Sequence, residues 1–89
     1  MLSDLINVGF GNIVNMDSVT AIVSSDSAPA KRMVKNAKAE GFAIDATHGR
    51  KAKAVIVMDN NHIVLSALAP ETLYLRSVEK QEKKDAKDQ

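Results

Sequence analysis

The chain has no cysteine and no tryptophan, and its aromatic residues are Phe10, Phe42 and Tyr74 alone. Without cysteine there are no disulfides and no thiolate metal sites, which fits a cytosolic protein. No apolar run approaches the roughly 20 residues that cross a bilayer. The start, Met1-Leu2-Ser3-Asp4, shows no basic region or cleavage signal. No secretion peptide is expected, and the expected location is the cytoplasm. Glycine is sparse, and Gly9-Phe10-Gly11 has neither the Gly-Lys-Ser/Thr ending of a P-loop nor the three spaced glycines of a dinucleotide site. Those glycines are expected to turn the chain around Phe10. The scarcity of aromatics also bears on function, because packing is expected to claim two or three of them. Single-strand and RNA binders stack bases on exposed rings, so duplex DNA is favoured over single-stranded RNA.

At 89 residues, the chain suits one small domain that buries about 60% of its unfolded surface. The net charge of +1 conceals an uneven distribution. Residues 1–30 carry Asp4, Asp17 and Asp26 and no Lys or Arg. Residues 31–53 carry Lys31, Arg32, Lys35, Lys38, Arg50, Lys51 and Lys53 against Glu40 and Asp45, which is 7 − 2 = +5. A local concentration of cations is the electrostatic footprint of a nucleic-acid binder.

Leu2 to Val8 reads as a strand ended by Gly9-Phe10-Gly11, and Asn12 to Asn15 as its hairpin partner. Asp17-Ser18 is a turn signal. Val19 to Ser24 is rich in β-branched residues and reads as a strand. Ser27 or Asp26 can cap a helix that has Pro29 in its first turn and Gly41 as its stop. Ala30, Met33, Val34 and Ala37 form its apolar stripe. Lys31, Lys35 and Lys38 line another face, with Arg32 beside it. Phe42–Thr47, Ala52–Asp59 and His62–Leu68 read as strands, the first two flanking an expected hairpin tip and the last two joined at Asn60-Asn61, where Asn tolerates positive φ. In the middle strand Ala54, Ile56 and Met58 on one face and Val55 and Val57 on the other suit a centre covered on both sides. One helix covers one face, which leaves the other to a neighbouring subunit. Pro70 opens a second helix. The fold class is α+β, a small antiparallel or mixed sheet with one packed helix and a C-terminal helix. Residues 1–76 form a single domain, and 77–89 a charged tail, read as a fraying helix or a disordered end.

The densest chemical signal is Thr47-His48-Gly49-Arg50-Lys51-Ala52-Lys53. Cations packed this closely repel one another and do not help the fold, so a polyanion is the natural reason to keep them together. Gly49 allows positive φ, which lets Arg50 and Lys51 project together. Arg clamps a phosphate or a guanine edge bidentately, while Lys acts as a point charge. The alternatives are a solvated tip that aids solubility, or a contact to an acidic protein partner within an oligomeric interaction module. The helix cations Lys31, Arg32, Lys35 and Lys38 are a weaker candidate, since most such stripes are solvated faces. His48 and His62 lack the further ligands that a zinc or non-haem iron site needs. No serine sits in a nucleophile elbow. No enzyme, cofactor, metal, membrane or small-molecule substrate is expected.

Several segments together resemble one family. They are Ile6 to Val14 with Gly9-Phe10-Gly11, Ile22-Val23-Ser24 to Ser27-Ala28-Pro29 with Lys31-Arg32-Met33, Ile44 to Lys51, and Val57-Met58-Asp59. They look like the RemA family of bacterial regulators of extracellular-matrix (biofilm) genes, without gaps from about Leu5 to Glu71. The resemblance implies a DNA-binding transcriptional regulator with no standard helix-turn-helix. It also implies a homo-oligomeric ring, with eight subunits one candidate size, built from subunits related to LytTR-type DNA-binding domains. The family's basic pair after the turn glycine falls on Arg50 and Lys51. The charge pattern of this chain adds Lys53, Arg32 and Lys31 as expected supporting DNA contacts. Family members carry Arg-Arg at that pair, so Lys51 keeps the charge and loses the fork. Ser18 stands where members can carry Arg.

Overall fold

A computed structural model describes residues 5–87, with side chains through Val78. The readings that touch Met1–Asp4, and those on side chains of the charged tail beyond Val78, lie outside the described residues. The chain runs β1 (Leu5–Gly9), β2 (Asn12–Asn15), a 3₁₀ turn (Met16–Ser18), β3 (Val19–Ser24), α1 (Ala28–Glu40), β4 (Ala43–Asp45), β5 (Ala54–Met58), β6 (Ile63–Ser66) and α2 (Pro70–Lys87). This is a small α+β domain with two helices and two sheets, one of them mixed.

Local chemistry accounts for the ends of these elements. Ser27 caps α1 by accepting from the Ala30 N–H, and Pro29 lies in the first turn. At the other end Gly41 takes φ +81, and the Phe42 N–H returns to the Ala37 carbonyl at 2.8 Å, the pattern of a Schellman stop. Asn61, at φ +71, closes the β5–β6 hairpin with the Met58 N–H on the His62 carbonyl at 2.9 Å. β1 and β2 form their own antiparallel pair.

The four-stranded sheet has the order β3-β5-β6-β4. β3 pairs antiparallel with β5, and β5 with β6. β4 pairs parallel with β6. This corrects the hairpin expected around the basic segment: β4 and β5 are not neighbours, because β6 lies between them. The linking segment is an arch over the end of β6. Eight residues, 46–53, are more than a tight hairpin needs and enough to pass two strand spacings of about 4.8 Å each.

Both sheet faces are covered from within the chain. Ala54, Ile56 and Val64 pack with Ile6, Val8 and Val14 of the β1–β2 hairpin and Leu73 of α2. Val55, Ile63 and Leu65 pack with Ala30 and Ala37 of α1. The expectation that a neighbouring subunit covers the second face of β5 is therefore corrected. The short N-terminal hairpin and α2 do it, through the few apolar side chains Ile6, Val8, Val14 and Leu73.

Candidate functional site

The arch is fixed by its backbone. On the β4 side the Ala46 N–H donates to the Leu65 carbonyl at 2.9 Å, and on the β5 side the Lys53 N–H donates to the Ser66 carbonyl at 2.8 Å. Both feet therefore stand on the last residues of β6. From the β3 side the Ser25 N–H donates to the Lys53 carbonyl at 3.1 Å, and the Ser25 hydroxyl to the Ala52 carbonyl at 2.7 Å. Where the chain leaves β4, Asp45 Oδ1 accepts from the Thr47 hydroxyl at 2.6 Å and the Thr47 N–H at 2.9 Å. These two bonds, the hydroxyl first, hold the Asp45 carboxyl below its ordinary 3.8, and the charge of Lys38 adds to the effect. Thr47 itself is buried.

The crown is a turn closed by the Arg50 N–H on the Thr47 carbonyl at 3.0 Å. Its central residues both have positive φ, His48 at +54 and Gly49 at +81, which is the type I′ pattern. Space does not dictate the glycine, since a Cβ at Gly49 would meet nothing within 4 Å. Conformation does.

Arg50, Lys51 and Lys53 are all exposed on this arch. They stand at the end of the sheet where β3 and β6 finish and β5 begins, so α1 and α2 both start there. A shallow depression lined by Ser24, Asp26, Lys51, Lys53, Pro70 and Glu71 marks where these segments meet. Two positive helix-dipole ends thus add to three cations, with Asp26 and Glu71 a partial offset on one flank. Lys31 and Arg32 are exposed on α1. Ser25 ties the start of their helix, rather than their side chains, to the arch. Since Ala30 and Ala37 are buried, helical spacing puts Lys31, Lys35 and Lys38 on one flank and Arg32 on the side away from the sheet.

The aromatic expectation is corrected too. Phe10, Phe42 and Tyr74 are 49%, 37% and 64% exposed, so packing does not claim them as core, and their number cannot by itself argue against base stacking. Methyl-rich Ile, Val, Leu and Ala residues fill the two cores instead. Phe42 lies against His62, ring centroids 4.9 Å apart. Phe10 reaches the arch: its ring stacks on His48 with centroids 5.0 Å apart and planes 23° from parallel, and the Arg50 guanidinium carbon lies 5.6 Å from its centroid. Phe10 itself has φ +54, a left-handed conformation that costs a non-glycine residue about 1–2 kcal/mol. Sequence reasoning missed Phe10 and His48 as members of the site. The available signal was a large apolar residue set between two glycines, an arrangement with no use in a core.

Fold and site together define a small α+β domain that displays a braced, exposed cationic arch. Residues 5–76 match the RemA-like family, described as extracellular matrix regulatory protein A-like. The chain is 51% identical over 82 residues to extracellular matrix regulatory protein A of Bacillus subtilis, with 92% of each chain covered. It is 54% identical over 78 residues to a protein of Desulforudis audaxviator named only as regulatory, covering 88% of this chain and 82% of that one. A similarly named protein of Fervidobacterium nodosum is 53% identical over 75 residues, covering 84% of this chain and 81% of its own. The chain belongs to the RemA family of regulatory proteins.

Proposed function

We propose that this protein is a cytoplasmic transcriptional regulator of extracellular-matrix (biofilm) genes that binds duplex DNA as a homo-oligomeric ring of LytTR-like subunits. The observation that carries the reading is the arch itself. Its cations are held out from a backbone braced at both feet, at the end of the sheet where both helices begin. Arg50 and Lys51 contact phosphates, with Lys53 beside them and Lys31 and Arg32 in support from α1. Few contacts per subunit make weak binding, and a ring repeats them so that they add through effective concentration. The exposed apolar side chains Ile13, Ile44 and Leu75 supply surface from which such contacts between copies can be built. Membership in a family of extracellular-matrix regulators supports the choice of target genes.

The test combines solution mass with gel shifts on random duplex DNA at two salt concentrations. The wild type is expected to be oligomeric and to bind with a steep salt dependence, because each neutralised phosphate releases counterions. The double variant Arg50→Ala, Lys51→Ala should keep its fold and mass and lose the shift. Each single variant, Arg50→Ala or Lys51→Ala, should lower the salt slope by about 0.9 per engaged subunit, at about 0.9 per phosphate contact. Unchanged binding by the double variant removes the arch from the mechanism. An oligomer that ignores duplex DNA at low salt turns the arch toward an acidic protein partner.

A further inference from the structure

The contact between Phe10 and the arch joins two segments nearly forty residues apart in the chain, and packing alone does not explain it. The Phe10 ring is half exposed, so it contributes little as core. Its backbone is left-handed, and so is that of His48, the residue it stacks on. Two non-glycine residues in a sparsely populated conformation, meeting ring to ring beside an arginine, form an arrangement that the surrounding structure must impose. It does so from the hairpin side as well. The Asn12 amide donates to the Gly9 carbonyl at 2.9 Å, the Asn7 side chain accepts from the Gly9 N–H at 2.6 Å, and Leu68 supports the tip 3.7 Å from where a Gly9 Cβ would stand. The β1–β2 tip is thus fixed on the body of the domain and holds its ring out over the arch.

We infer that Phe10 is a positioning residue for DNA binding: its ring, stacked on His48, holds the Arg50 guanidinium in the orientation in which it meets a phosphate. An arginine on an exposed turn has several rotatable bonds, and binding must freeze them. A cation–π contact freezes them beforehand and leaves the N–H groups at the guanidinium edge free to donate. The inference rests on the duplex-DNA reading above for its functional half. The pairing of ring and guanidinium stands separately.

The experiment compares Phe10→Leu, Phe10→Trp, Arg50→Ala and the double variant Phe10→Leu, Arg50→Ala in the full chain. Leu and Trp carry the same backbone strain as Phe at this φ, so differences in urea midpoint report packing alone. Without DNA, the side-chain protons of Arg50 should show an upfield ring-current shift in NMR spectra of the wild type, lost in Phe10→Leu and kept in Phe10→Trp. Arg50 protons at random-coil positions in the wild type overturn the inference whatever the DNA result. With random duplex DNA, Phe10→Leu should bind about 2- to 5-fold more weakly per engaged subunit, at an unchanged salt slope because the phosphate contact survives. Arg50→Ala lowers the slope itself. Phe10→Trp should recover wild-type affinity. In the Arg50→Ala background, Phe10→Leu should cost nothing further, and an equal loss there overturns positioning through Arg50. A wild type that shows the ring-current shift but ignores duplex DNA overturns the DNA reading and the functional role built on it, and leaves the pairing demonstrated.

Discussion

Asp45 offers a perturbation in which charge and architecture push DNA affinity in opposite directions. Its carboxylate is one of the acids near the cationic arch, and by charge alone its removal should strengthen binding to a polyanion. The size of that gain is small. At roughly 10 Å from a phosphate, a unit charge in water is worth about 0.4 kcal/mol before salt screening, less than a factor of two in affinity. The same carboxylate also holds Thr47 through bonds of 2.6 and 2.9 Å, and Thr47 is buried. Asp45→Ala leaves the Thr47 N–H and hydroxyl without that acceptor. Because Asp45 is exposed, the low end of the usual range for charged hydrogen bonds applies, about 1.5 kcal/mol in all. For a domain of this size that is about 6–12 °C in Tm. The loosened arch must then be reordered on DNA at about 1–2 kcal/mol per residue, which outweighs the charge gain. Asp45→Asn removes the same charge and keeps an oxygen that accepts from Thr47. Gel-shift titrations of the two variants should therefore diverge: Asn binds at or slightly above wild type, and Ala binds about tenfold more weakly. If both bind equally tightly, the brace is irrelevant to the arch and the reasoning fails. Acid supplies a second check. The folded-state pKa lies below the ordinary 3.8, so the stabilisation is complete above that value and is lost as pH falls through the folded value. The Tm gap between wild type and Asp45→Asn, present at pH 7, should narrow progressively as the pH falls below 3.8.

Two further outcomes concern stability. Ser66 is fully buried, donates to the Val8 carbonyl at 2.8 Å and accepts from the Leu68 N–H at 3.1 Å. Ser66→Ala should therefore lower stability by about 2 kcal/mol, read as a urea midpoint shift of about 2 M. Gly49→Ala should cost about 1 kcal/mol through its positive φ alone, with Gly49→Asn in between; equal stability of all three in thermal melts would contradict the conformational account of this glycine.

Most elements were legible in the sequence because their signals are local. Ser27, Pro29 and Gly41 bound α1, and Asn61 closes the β5–β6 hairpin, each through chemistry within a few residues. Pairing was less legible. β4, β5 and β6 all read as apolar strands, and nothing in Ile44 or Ile56 says which neighbour each takes, so β6 between β4 and β5 emerges only in three dimensions. The cover on the second sheet face was hidden for a similar reason: Ile6, Val8 and Val14 are few, yet in the folded hairpin they all face Ile56 and Val64. At the site, Arg50, Lys51 and Lys53 announced themselves by charge. Phe10 did not, because its meeting with His48 and Arg50 is a long-range event that no spacing rule encodes.

Four of the hydrogen bonds that fix the arch, from Ala46, Arg50 and Lys53 to carbonyl oxygens and from Ser25 to the Lys53 carbonyl, run between main-chain atoms, and the side-chain bonds beside them come from Ser25 and from the Asp45–Thr47 pair. None draws on the side chains of Arg50, Lys51 or Lys53. The main-chain frame of the arch therefore does not depend on the side chains at those three positions, and contact chemistry can change there without breaking its hydrogen bonds. Lys51→Arg would be one such exchange, since no hydrogen bond that holds the arch involves the side chain at that position. Affinity for a polyanion can drift by small steps at these positions, each step reached by a protein that is already folded.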